Sequence, residues 1–316
     1  MSARLAVQVT GLRKSFGDKV VLDGIDVAIA EGTVFALLGP NGAGKTTIVQ
    51  ILSTLLRADA GDIKVAGFDV NREPQAVRDA IGVTGQFSAV DYLLTGRENL
   101  LLMADLHHRG RRAGRLRVDE LLVRFDLVDA AGQMVMKYSG GMRRRLDLAM
   151  TLIGDPRIIF LDEPTTGLDP RSRHTMWQIT RELAATGVTV LLTTQNLDEA
   201  DELAGRIAVL DEGRLVAEGT PDELKRRVPG GRVRLHFREP AAMREAARVL
   251  GRDADDAEAL VLDVPTDGTP QSLRNLLDRL DEKALHVETV TVQTPDLDDV
   301  FFALTGTPHH ALDTSA

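Results

Sequence analysis

Gly39-Pro40-Asn41-Gly42-Ala43-Gly44-Lys45-Thr46-Thr47 fits the pattern G-x-x-x-x-G-K-[ST], and its flanks place it between a strand and a helix. Residues 33–38 (TVFALL) form a short apolar, β-rich run, and residues 47–56 (TIVQILSTLL) carry apolar side chains at helical spacing. Gly39, Gly42 and Gly44 leave room for backbone N–H groups to turn inward around a triphosphate, and the following helix aims its positive dipole end at the same place. In that setting the Lys45 ammonium reaches the β and γ phosphates and the Thr46 hydroxyl ligates magnesium. Residues 39–47 are therefore the candidate nucleotide cradle.

Two further stretches carry charge chemistry. Residues 157–161 (RIIFL) read as a buried strand running into Asp162-Glu163-Pro164. Carboxylates at the end of an apolar strand are costly without cationic partners, and a magnesium nucleotide supplies one. Asp162 is expected to hold the metal through its water shell, and Glu163 to orient or deprotonate an attacking water. Tyr138-Ser139-Gly140-Gly141-Met142 opens a helix over residues 143–153 with small residues and free N–H groups, a second anion-binding end. Near the N-terminus, Phe16 offers a face on which an adenine ring could stack, although packing alone would also place a phenylalanine there.

The remaining segments supply the frame. Residues 5–31 read as two or three strands with turns at Gly11, Gly17 and Glu31-Gly32, residues 61–70 as a hairpin turning at Gly67, and residues 81–84 as a short buried strand ending in Gly85-Gln86. From 87 to 127 leucines recur at spacings of three and four, a helical insertion that continues to about residue 153. His107-His108 within it reads as a solvated turn on a basic loop in preference to a metal site. Gly167-Leu168-Asp169-Pro170 is a turn before a helix over residues 172–185. Residues 187–194 (GVTVLLTT) form another buried strand closed by Gln195, followed by a helix at 198–203 and a hairpin over 207–219. Strands alternating with helices imply a mainly parallel sheet with covered faces. Val228-Pro229-Gly230-Gly231 reads as a linker, so residues 1–227 form one domain and residues 232–305 a small α+β module without evident chemistry; the tail 306–316 is expected to be disordered.

Composition sets the limits. The chain has 316 residues, 43 % of them hydrophobic, enough for a sizeable core. Lys+Arg 38 against Asp+Glu 47 gives a net charge of -9, which argues against a nucleic-acid partner. A cysteine count of 0 removes disulfides, thiolate metal sites and thiol nucleophiles, and suits a reducing cytosol. The N-terminal MSARLAVQVTGL reads as a first strand and not a signal peptide, and no stretch approaches the ~20 apolar residues of a bilayer crossing.

Taken in order, the phosphate loop, Gln86, the Ser139-Gly140-Gly141 turn, Asp162-Glu163, Asp169 and Gln195 resemble the nucleotide-binding subunit of ATP-binding cassette (ABC) transporters over residues 5 to about 225. The chain looks most like the ATP-binding proteins of daunorubicin/doxorubicin-type multidrug resistance exporters. That narrower resemblance is carried by residues 85–91 (GQFSAVD), 94–100 (LTGRENL), 193–201 (TTQNLDEAD) and, at the C-terminal end, 295–301 (PDLDDVF).

The resemblance implies a P-loop NTPase fold with a mainly parallel sheet, an antiparallel β subdomain and a helical insertion. It implies ATP and Mg2+ as ligands, and two copies that sandwich two ATP molecules between the phosphate loop of one and the Ser139-Gly140-Gly141 turn of the other. Asp169 belongs to the same ATP-contacting set, and Phe16 becomes the adenine-stacking residue. Gln86 would help hold the metal, sense the nucleotide and pass the change to an integral membrane permease docked near residues 86–94. The implied place of work is the cytoplasmic face of the cell membrane. Two residues depart from the wider superfamily: Met142 stands where Gln is usual, and Gln195 where most members carry a His. Gln195 can donate a hydrogen bond to the γ-phosphate but cannot carry a proton, which leaves Glu163 as the main catalytic group. Two other readings are a cassette ATPase acting on ribosomes or DNA, and a nucleotide-gated regulator without hydrolysis. The single phosphate loop, the acidic balance and the missing cysteines disfavour the first; Lys45, Asp162 and Glu163 together disfavour the second.

Overall fold

The computed structural model describes residues 4–85, 89–227, 231–252, 260–266, 269–283, 285–293 and 295–305. Gln86, most of the expected linker and the C-terminal tail lie outside the described residues. The chain divides into two compact units, Met1–Pro221 and Asp222–Ala316.

In the first unit, β1 (Leu5–Phe16) and β2 (Lys19–Ala30) pair antiparallel across a turn at Gly17. Gly11, expected to end a strand, lies inside β1. Its φ of 61° makes a bulge where the register shifts between Val9 and Leu12, so the strand bends and continues. Next come β3 (Val34–Leu38), buried along its whole length, and α1 (Lys45–Leu52). Strands β4 (Ala60–Val65) and β5 (Phe68–Asp69) form a hairpin around Ala66 and Gly67, both at positive φ, as a two-residue turn with the native strand twist requires. A short helix α2 (Pro74–Ala80) leads into β6 (Ile81–Thr84). With seven residues, of which Val77 and Ala80 are buried, α2 has too few turns to announce itself by periodicity.

The helical insertion contains α3 (Gly96–Leu106), α4 (Arg111–Arg124) and α5 (Gly140–Thr151). It begins later than expected. Residues 91–95 are a loop fixed by the buried Asn99, whose Oδ1 accepts from Asp91 N at 2.8 Å and whose Nδ2 donates to the carbonyls of Asp91 and Thr95 at 3.0 Å each. Thr95 and Glu98 then form a reciprocal capping box that starts α3. The chain continues through β7 (Ile158–Asp162), α6 (Pro170–Ala185), β8 (Thr189–Thr194), α7 (Leu197–Leu203), β9 (Arg206–Asp211) and β10 (Arg214–Gly219).

Two sheets result. One is antiparallel, in the order β2-β1-β4-β5; the other has the order β10-β9-β3-β8-β7-β6, parallel except at β10. A single hydrophobic cluster runs from Val7, Ile25 and Ile63 of the antiparallel sheet through Ile48 and Ile51 of α1 to Phe35, Phe160 and Leu191 of the parallel one. This core clamps α1, and therefore the loop before it, between the sheets. The architecture is the α/β P-loop arrangement that the sequence implies.

The short helix α8 (Pro221–Lys225) precedes the second unit's own fold. There β11 (Gly231–His236), α9 (Pro240–Leu250), β12 (Val261–Thr266), α10 (Pro270–Asp281), β13 (Thr289–Gln293) and α11 (Leu297–Thr305) build an antiparallel sheet in the order β12-β11-β13 with helices packed on it. Val233, Leu235, Met243, Ala246, Leu276 and Leu280 form a core of its own.

Candidate active site

Parallel pairing brings the functional segments to one edge of the six-stranded sheet. Leu38 lies in register with Thr194, and Asp162 with Thr193, so the residues that follow β3, β8 and β7 emerge side by side. The crevice beyond the carboxyl ends of parallel strands is where such sheets bind ligands.

The loop at 39–44 is shaped for close backbone approach. A Cβ on Gly39 would stand 2.3 Å from the Leu210 carbonyl oxygen, and one on Gly44 2.6 Å from Leu22 Cδ2. Gly42 and Gly44 have φ of 84° and 109°, which a side chain would strain. Gly44 is the N-cap of α1, so the first free N–H groups of that helix open toward the loop.

Lys45 is 5 % exposed; its Nζ donates to the carbonyls of Gly39 at 2.7 Å and Pro40 at 3.0 Å, and faces Glu163 Oε1 at 3.7 Å. Burial pushes the Lys45 ammonium below its ordinary pKa, against the pull of Glu163 and then Asp162. Asp162, 3 % exposed at the end of β7, accepts at Oδ1 from the Thr46 hydroxyl at 3.3 Å and from the Thr193 hydroxyl. Thr46 and Asp162, expected as metal-holding partners, are thus in contact, and both offer the hard oxygens that magnesium takes. Glu163 stands in the left-handed region with φ of 49°, a conformation that glycine adopts freely and a glutamate rarely does. Its backbone N–H donates to Thr193 O and Oγ1, at 3.1 and 3.2 Å. Thr166 Oγ1 donates to its Oε2 at 3.3 Å.

Sequence reasoning missed Thr193. Its signal is a hydroxyl at the penultimate position of a strand whose centre is apolar, fully buried where a valine would pack as well. Gln195 follows β8 directly and is exposed beside the start of the phosphate loop, whose Gly39 N–H donates to Thr194 O at 3.3 Å. Phe16 ends β1, is 50 % exposed and has Lys14 Nζ 5.3 Å from its ring centroid. Gln86 lies outside the described residues.

The Ser139 turn and Asp169 form a separate group. Ser139 caps α5 by accepting from Met142 N at 3.2 Å, so Met142 contributes through its backbone. Gly141 is buried against α6, where a Cβ would stand 2.4 Å from Ser172 Oγ. Asp169 caps α6, accepting from Ser172 N at 3.0 Å and Ser172 Oγ at 2.6 Å. The Ser172 hydroxyl and backbone bonds hold its carboxyl below the usual range. Ser139 and Gly140 remain exposed, so this end of α5 presents free N–H groups outward.

Comparison with known proteins gives concordant findings. The family described as ABC transporter matches residues 22–166, and the family described as ATP-binding protein DrrA1-3-like, C-terminal domain, matches residues 219–305. The chain is 50% identical over 317 residues to the daunorubicin resistance ATP-binding protein DrrA2 of Streptomyces coeruleorubidus, covering 98% of each chain. It is 45% identical to the daunorubicin/doxorubicin resistance ATP-binding protein DrrA of Streptomyces peucetius, covering 96% of this chain and 93% of the other. It is 40% identical to a Nod factor export ATP-binding protein I of Paraburkholderia xenovorans, covering 95% and 97%. Among solved structures, the ADP conformation of an ATP-binding cassette of an ABC transporter superposes with a TM-score of 0.63 at 26% identity, covering 70% of this chain and 92% of that one. A dimeric post-hydrolysis cassette bound to ADP and Pi superposes with a TM-score of 0.62 at 27% identity, covering 68% and 98%.

Proposed function

Because this chain belongs to the ATP-binding subunits of ABC transporters of the daunorubicin/doxorubicin resistance type, we propose that it hydrolyses ATP between two copies of itself to drive export of a drug-like compound through a separate membrane permease. The observation that carries the hydrolytic reading is the packing of Lys45 Nζ 3.7 Å from Glu163 Oε1, with the Thr46 hydroxyl 3.3 Å from Asp162, at the mouth of a loop whose Gly39 and Gly44 leave no room for a side chain.

The loop N–H groups within residues 41–46 cradle the phosphates, with Thr47 in the first turn behind them, and Lys45 exchanges its hold on the Gly39 and Pro40 carbonyls for phosphate oxygens. Thr46 and Asp162 would hold magnesium, with Gln86 as a further oxygen donor, and the ion would supply charge neutralisation at the terminal phosphates. Glu163 orients a water whose oxygen bonds to the γ-phosphorus as the bond to the β–γ bridging oxygen breaks, and takes up the water's proton. Gln195 donates to the γ-phosphate, and Phe16 stacks on the adenine. Ser139, Gly140 and Gly141 of one copy, with Asp169 beside them, close over the nucleotide held by the other. Each site is thus completed by the second chain, and hydrolysis removes the contact that keeps the pair shut.

Docking of a permease near residues 86–94 is supported by the surface beside them. Residues 92–94 run against 134–136, with Val135 N donating to Leu94 O at 2.9 Å and Met136 N to Tyr92 O at 3.1 Å. Tyr92, Leu93, Met134 and Met136 are all exposed there. In this reading a separate subunit carries the path and this chain works from the cytoplasmic face; among the described residues no helix is long and apolar enough to cross a membrane. The identity to drug-resistance relatives, 50% against 40% for the Nod factor exporter, favours a drug-like cargo.

The test is Glu163→Gln in the purified chain. Turnover is expected to fall by at least about 100-fold while MgATP binding persists and drives dimers visible by light scattering. Full turnover in that variant overturns the role of Glu163.

A further inference from the structure

The three consecutive arginines 143–145 on α5 go separate ways. Arg143 lies over the Tyr92 ring at 5.3 Å, and Arg145 bonds the Phe125 carbonyl at 3.0 Å and Asp126 at 2.9 Å. Arg144 turns toward the sheet, its side chain 12% exposed. Its Nε donates to Pro164 O at 2.9 Å, its Nη2 to Asp162 O at 3.1 Å and Glu163 O at 3.3 Å, and its Nη1 to Gly85 O at 3.1 Å. One turn on, buried Asp147 faces Nη1 at 3.4 Å and accepts from Ala89 N at 3.2 Å.

A guanidinium is a rigid planar fork, so carbonyls bound to its separate nitrogens are fixed relative to one another. Here the carbonyls of three successive residues, 162–164, converge on one cation. They include the peptide planes on both sides of Glu163, the residue held at φ 49°. Fixing those planes fixes the direction of its Cα–Cβ bond. The same side chain, with Asp147, bonds Gly85 and Ala89, the described ends of the connection leaving β6. The helix carrying both is capped by Ser139.

We propose that Arg144 is a positioning residue for hydrolysis: it aims Glu163 and mechanically links its backbone to the helix whose N-terminus the second copy's nucleotide engages. The assignment rests on the ATPase reading above. A buried arginine satisfying a strand end would serve stability alone if Glu163 were not its neighbour, so the test separates aim from folding.

The full-length chain is compared with Arg144→Lys, which keeps the charge but loses the fork, and with Arg144→Gln, which keeps a planar donor without charge. For each, kcat and KM for ATP, the Kd for MgATP and the thermal unfolding transition are measured. A folded variant is expected to lose kcat by about 10- to 100-fold while KM and Kd stay within about twofold, the split that misplacement of a catalytic group produces. A kcat within twofold of the parent in either folded variant overturns the proposal. So does a Kd that rises in step with the loss of kcat, or failure of both variants to fold, since each assigns Arg144 to structure. A parent chain that hydrolyses no ATP defeats the ATPase reading first, and this one with it; the other outcomes concern Arg144 alone.

Discussion

At the scale of single residues, the site is held by groups with no chemical step of their own. The Thr193 hydroxyl donates to Asp162 and accepts from the Glu163 N–H, so one side chain ties the carboxylate proposed to hold the metal to the backbone of the residue proposed to activate water. Thr193→Val conserves shape and leaves those two partners without it. Unfolding in urea is expected to show a loss of about 1–3 kcal/mol, and magnesium is expected to activate at higher concentration. Gly39→Ala places a methyl where a carbonyl already stands, 2.3 Å away. Since that oxygen belongs to β9 and cannot yield without moving the strand, MgATP binding measured by a fluorescent nucleotide is expected to be lost.

At the scale of elements, α6 and α7 meet over a buried carboxylate. Glu199, 1 % exposed, accepts from Trp177 Nε1 at 3.2 Å, and burial raises its pKa above the ordinary value of 4.5 despite bonds from Thr194 and Thr165. The folded state therefore binds this proton more tightly than the unfolded chain, and the stability linked to it is present below about pH 4.5 and lost as pH rises through the folded pKa. Glu199→Gln cannot ionise. Its unfolding free energy relative to the parent is expected to improve from pH 4.5 up to the folded pKa of Glu199 and then to level off, measured by denaturant titration at each pH. Elements with strong periodicity or a motif were legible in the sequence: β3, α1, β6, β7 and β8 lie within a few residues of where their patterns put them. What the sequence hid was local and two-sided. Gly11 carries the same letter for a turn as for a bulge, and α2 is too short to show a stripe. The pairing of Arg144 with Asp147 on a buried helix face could have been noticed from the i, i+3 spacing of opposite charges; their carbonyl and N–H partners come from segments up to 59 residues away, which periodicity cannot reveal.

At the scale of the whole molecule, the phosphate loop, both carboxylates and the Ser139 turn all belong to the first compact unit, while the second has a separate core. A chain ending at Arg227 is expected to bind MgATP within about twofold of the full-length Kd, read by nucleotide fluorescence, because no group of the candidate site is removed. The backbone of Glu163, held at φ 49°, carries a further implication for lineages. An L-residue there costs roughly 1–3 kcal/mol that glycine escapes, and a Glu codon becomes a Gly codon by one base change. On the role proposed for Glu163, heat resistance and work pull this locus in opposite directions: a descendant selected for sturdiness alone drifts toward a clasp that grips its fuel without consuming it, and continued need for efflux weeds such siblings out.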